Sequence, residues 1–97
     1  MSKYTHSQQR AAERCQIEDF NKGLAMNEIL DDRCVQIEEN FEKFSRTFLI
    51  RYINRYIVLV TDFNVSFIKT CLPFQDKLFD FLNTLISKLN VLDTKVA

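Results

Sequence analysis

The residues between 50 and 96 restrict the fold more than any other part of the chain. A seven-residue repeat of apolar positions runs through them at Ile50, Ile57, Cys71, Leu78, Leu85 and Leu92, broken only by Asn64. A companion row follows three residues later at Ile53, Val60, Phe67 and Phe74, then four residues later at Leu82, Leu89 and Val96. Alternating steps of three and four are the way a helix buries a narrow seam against other helices. The spacing predicts an all-α, elongated chain whose main element is a coiled-coil-forming helix over 48–96. A helix of that span is roughly 70 Å long at ~1.5 Å per residue and needs partner helices to cover its seam.

The scarcity of turn formers points the same way. One Gly and one Pro occur in 97 residues, and strands need turns that draw on both. Pro73 inside the proposed rod costs roughly 3 kcal/mol in a helix interior. The helix therefore kinks there, or breaks near Thr70 and restarts with Pro73 in its first turn. Ile57, Val58, Val60, Thr61 and Val65 favour a strand locally, but a period sustained over a long window takes precedence.

Upstream, Leu30, Cys34, Ile37, Phe41, Phe44 and Phe48 form a stripe at steps of four and three, with Asp31, Asp32, Arg33, Glu38, Glu39, Glu42 and Lys43 on the other faces. This predicts an amphipathic helix over 24–46. Around Ser45-Arg46-Thr47 the helix either continues with a shifted face or turns back as a hairpin; without Gly or Pro there, continuation is preferred. Residues 1–22 read as a polar segment with a short or frayed helix from Thr5 to Asn21, closed by Asn21-Lys22-Gly23. The division is thus a 1–22 segment and a 24–97 helical assembly region.

Thirteen basic and thirteen acidic residues cancel, which removes the electrostatic basis for nucleic-acid binding. The apolar stretch 48–72 carries Arg51, Arg55, Asp62 and Lys69; each charge costs at least ~2.5 kcal/mol at a bilayer centre, which argues against a direct membrane span. The first residues lack the apolar run of a signal peptide. Cys15, Cys34 and Cys71 are widely spaced and His6 stands alone, so the expectation is free, buried thiols in a reducing compartment and no metal site.

No Gly-rich phosphate loop, paired-cysteine motif or Ser-His-Asp grouping is present, and the expectation is a non-enzyme without catalytic residues or cofactors. The candidate partner interface is the seam itself: Ile50, Ile53, Ile57, Val60, Phe63, Phe67, Cys71, Leu78, Leu82, Leu85, Leu89, Leu92 and Val96. Asn64 either fixes register within it or faces out while Phe63 takes its place. Tyr52, Tyr56, Phe63 and Phe67 form an aromatic series, read as core packing or as an anchor for a partner helix.

The stretch Tyr52-Ile53-Asn54-Arg55-Tyr56-Ile57-Val58, with Phe63, Phe67 and Cys71 at four-residue steps, Lys77-Leu78, and Leu89-Asn90-Val91-Leu92-Asp93-Thr94-Lys95-Val96, resembles subunit 3 of the WASH complex, a coiled-coil-domain family. The likeness runs over 48–96. More loosely, Ile50, Ile53, Ile57, Asp62-Phe63, Phe67 and Cys71 resemble the Brick subunit of the WAVE complex. The resemblance implies a non-catalytic structural subunit of an actin-nucleation-promoting complex, cytoplasmic and peripheral to early endosomes, bundling its helix with those of other subunits. On that basis Tyr52, Asn54, Tyr56, Phe63, Phe67, Cys71, Leu89, Leu92 and Asp93 would belong to the packing and interface surface. A Brick-like subunit able to self-associate in isolation, and an unrelated helical tethering or binding module, are the alternatives.

Overall fold

A computed structural model describes residues 20–96, the last two as backbone alone. It overturns the all-α reading. A helix α1 (Lys22–Leu30) is followed by four strands, β1 (Cys34–Asn40), β2 (Ser45–Tyr52), β3 (Arg55–Asp62) and β4 (Ile68–Pro73). A single 3-10 turn (Asp76–Leu78) leads into helix α2 (Phe79–Val96). The strands form one antiparallel meander in the order β1-β2-β3-β4.

The supposed helix over 48–96 is therefore three strands and one helix, and the central strands β2 and β3 are buried on both faces. Ile50, Tyr52, Ile57, Leu59 and Cys71 pack with Ala25 and Ile29 of α1 and with Phe20. The alternate residues Leu49 and Val58 pack with Leu85 and Leu89 of α2. Strands covered on both sides carry apolar residues at successive positions, so the alternation that marks a half-buried strand is lost. Ile50 and Ile57 are cross-strand partners. Their spacing of seven comes from the two-residue turn midway between them, not from two turns of helix. Pro73 neither kinks nor restarts a helix; it ends β4, an edge strand, where a missing N–H is tolerated.

The helix predicted over 24–46 is not formed beyond Leu30, where α1 ends. Asn21 caps the start of α1, its Oδ1 accepting the Leu24 N–H at 3.0 Å. Gly23 lies inside α1. The helix ends in a Schellman pattern: Arg33 N–H to Glu28 O at 2.7 Å and Asp32 N–H to Ile29 O at 3.1 Å, with Asp32 left-handed at φ 59°. The remainder of that stripe lies in β1, the first hairpin loop and, at Phe48, β2. The helix expected over 5–21 lies, but for its last two residues, outside the described residues.

Arg33 ties the two helices across the edge of the sheet. It pairs with Glu28 of α1 and with Asp93 of α2, each at 3.0 Å. Lys88 of α2 adds contacts to Asp32 Oδ1 at 2.7 Å and to the Cys34 carbonyl at 2.8 Å. Cys34 and Cys71 are both buried, and burial pushes the Cys34 thiol up so that it stays neutral.

Candidate protein-binding site

The structure buries five residues of the expected interface in the core. Ile50, Ile57 and Cys71 belong to the core beneath α1, and Leu85 and Leu89 to the core beneath α2. Leu78 and Leu82 pack at the margin of that second core, and Leu92 and Val60 are half-buried. Val96 ends α2, its side chain outside the description. Asn64 is exposed in the β3–β4 turn and fixes no helical register. The aromatic series is dispersed: Tyr52 lies in the core beneath α1, Tyr56 packs on the α2 side, and Phe63 and Phe67 sit in the β3–β4 turn.

That last pair has company which the helical reading assigned to a core stripe. The β1–β2 turn (41–44) and the β3–β4 turn (63–67) meet at one end of the sheet, because Ser45 and Asp62 are paired. Phe41, Phe44 and Phe67 are 67%, 70% and 55% exposed. The Phe41 and Phe63 rings lie 5.2 Å apart in a tilted contact, and the Arg46 guanidinium sits 4.5 Å over the Phe63 ring. The result is a half-buried aromatic base with three exposed phenylalanines around it.

Both turns are stiffened by side chains. Asn40 Oδ1 accepts the Lys43 N–H at 3.0 Å. The Lys69 ammonium donates to the carbonyls of Lys43 and Phe44 at 2.9 and 3.3 Å, tying the β1–β2 turn to the start of β4. The Asp62 carboxylate accepts the Ser66 hydroxyl and the Ser66 and Phe67 N–H groups at 2.6 and 2.9 Å. Burial would raise the Asp62 pKa, but these hydrogen bonds together hold it below the usual carboxylate value. Backbone groups that would otherwise demand water are thereby satisfied, so burying this end against another surface leaves few of them unpaired.

Two residues here are held in the left-handed region, Phe44 at φ 50° and Val65 at φ 55°. Bulky and β-branched residues pay about 1–3 kcal/mol for such geometry. Val65 recovers part of it by packing on the core; Phe44 does not, being mostly in water. The signal available in the sequence was the placing of Asn40 and Asp62 beside paired phenylalanines, since Asx side chains make turns without Gly or Pro.

Among the described residues, no group of three or more His, Cys, Asp or Glu could hold a metal ion, and no helix is long and apolar enough to cross a membrane. Comparison with protein-family models, curated proteins and solved structures finds no match to the chain.

Proposed function

We propose that the chain is a non-catalytic protein-docking unit that engages a partner subunit through the aromatic end of its sheet. One observation carries this: Phe44 keeps a strained backbone while its ring is 70% exposed. Folding gains little from such a residue, and strain retained without a folding benefit points to a functional demand. Exposed aromatic side chains beside Arg are also the composition of interface hot spots.

The setting favours a protein partner over a lipid surface. Glu42 and Lys43 lie between Phe41 and Phe44 at the apex of the turn, so charge would have to enter a bilayer first. Lys43, Arg46 and Lys69 are balanced by Glu39, Glu42 and Asp62, leaving little net attraction for anionic headgroups. About two-thirds of three Phe side chains is roughly 400 Å², or ~10 kcal/mol gross at ~25 cal/mol/Å². Association itself costs ~4–15 kcal/mol, so the tip alone supports a reversible contact. The actin-assembly and endosomal roles implied by the resemblance required a bundling rod that the chain does not form, and the proposal does not extend to them.

The test is photo-crosslinking from Phe44→p-benzoylphenylalanine, with the same substitution at exposed Thr84 as the comparison. A protein adduct of defined mass from position 44, lost when Phe41→Asp and Phe67→Asp are added, is expected. Equal adducts from both positions, or persistence in the double variant, would overturn the reading; adducts to phospholipid would move it to a membrane.

A further inference from the structure

The aromatic end contains one charged group whose bonding is incomplete. Arg46 lies at the start of β2, its guanidinium 4.5 Å over the Phe63 ring. That stack occupies one face of the guanidinium. Its N–H groups point outward in the plane and still need acceptors. The Nε atom is buried, and the carboxylate paired with it, Glu39 Oε1, stands 3.7 Å away, beyond hydrogen-bond range. Among the described residues, no group accepts a hydrogen bond from the terminal nitrogens Nη1 and Nη2.

Arg33 displays a completed guanidinium in the same fold. Glu28 accepts from its Nε and Asp93 from its Nη1, each at 3.0 Å. Arg46 has a loose counterpart of the first carboxylate in Glu39 and no counterpart of the second. Because Nε is enclosed, an acceptor from outside must approach the edge formed by Nη1 and Nη2. That edge matches the two oxygens of a carboxylate.

The demand arises only when this end is covered, and so presupposes the docking role proposed above. In the free chain the Arg46 side chain is 31% exposed, and water can serve its terminal nitrogens. A partner lying over Phe41, Phe44 and Phe67 expels that water, and a guanidinium left without an acceptor then opposes binding. Neighbouring charges make no such demand. Asp62 is engaged by Ser66 and Phe67, and Lys69 by the carbonyls of Lys43 and Phe44. Glu42 and Lys43 are exposed at the apex, where long stems keep their heads in water.

We infer that the partner carries an Asp or Glu side chain set among apolar residues, and that this carboxylate docks end-on against Nη1 and Nη2 of Arg46 while its apolar neighbours cover the phenylalanines. Arg46 thereby sets the specificity of the site. The charges around it balance, so the acid is selected on contact rather than drawn in from a distance.

The test titrates the full chain, ¹⁵N-labelled, with N-acetyl-Phe-Asp-Leu-amide and with its neutral isostere N-acetyl-Phe-Asn-Leu-amide. Saturable shifts are expected at the amides of residues 41–46 and 63–67 and at Arg46 Nε, with the asparagine peptide about tenfold weaker, as loss of one charge-assisted contact implies. Arg46→Gln should make the two peptides equal. Arg46→Lys should keep part of the difference, since a point charge replaces the fork. Equal affinities for the unaltered chain overturn the choice of a carboxylate and leave the docking role standing. Absence of saturation with either peptide also overturns it, whereas the docking role falls only if crosslinking from position 44 fails as well. Shifts of the same residues on raising the protein concentration alone would assign this end to a second copy and likewise overturn the inference. The two peptides are compared on the unaltered chain, so the outcome stands even if Arg46→Gln disturbs the stack on Phe63.

Discussion

Replacing Ile53 by Asn should make the protein more stable, although it removes an apolar side chain. The left-handed backbone at φ 43° costs a β-branched residue about 1–3 kcal/mol, most of which Asn avoids. Against this stands the burial that is lost. Ile53 is 64% exposed, so only about a third of the ~1.5–3 kcal/mol of a fully buried side chain is forfeited, or ~0.5–1 kcal/mol. The balance is a gain of about 1 kcal/mol, which for a domain of this size raises Tm by about 4–8 °C. Asn is preferred to Gly because Gly returns ~0.5–1 kcal/mol to the unfolded chain. Thermal and urea unfolding followed by circular dichroism measure the change, and an unaltered urea m-value confirms that the denatured state is the same. An unchanged or lower Tm would mean that Ile53 is unstrained or makes native contacts worth more than its strain.

Leu85→Ala should cost about 2–5 kcal/mol and Leu92→Ala under about 1 kcal/mol in urea denaturation, since Leu85 is fully buried and Leu92 only half-buried; a coiled-coil seam would make the two alike. Arg33→Ala should lose about 1 kcal/mol, with much of the difference gone in high salt, because its two ion pairs are partly exposed. The Asp62 carboxylate has a folded pKa held below its unfolded value near ~3.9. Its contribution is therefore complete above about pH 4 and is lost as pH falls through the lowered folded value. Amide-exchange protection at Ser66 and Phe67 should fall on acidification while that of Leu59 and Cys71 persists, and Asp62→Asn should abolish the acid step.

What the sequence disclosed depended on which physical signal was local. The face of α2 was legible: Leu82, Leu85 and Leu89 all turn toward the sheet, as helical spacing requires. The burial of Cys34 and Cys71 was also legible. The strands were not, for two reasons. In β2 and β3 two-sided burial erased the alternating pattern, and the strand-favouring run Ile57 to Thr61 was outweighed by a period that extended through it. Poverty in Gly and Pro also misled. Here the turns rest on Asn40, Asn54 and Asp62, and on Phe44, Ile53 and Val65 held at positive φ.

One decision, the location of the turn at Ile53-Asn54, separates the two readings of residues 45–62, and the candidate site follows from it. A hairpin centred there pairs residues symmetrically outward, Tyr52 with Arg55, Ile50 with Ile57 and finally Ser45 with Asp62. The chain just beyond that last pair must then emerge at one end of the sheet, carrying Phe41 and Phe44 on one side and Phe63 and Phe67 on the other. The same phenylalanines that suggested a continuous buried stripe thus become a cluster on the surface, with no change in their spacing. The turn itself becomes the opposite end of the molecule, beside Leu24. A helix would have placed all of these residues along one seam for one kind of partner. The hairpin divides them into a buried middle that holds the fold and two exposed ends, Phe44 and Ile53, where backbone strain persists.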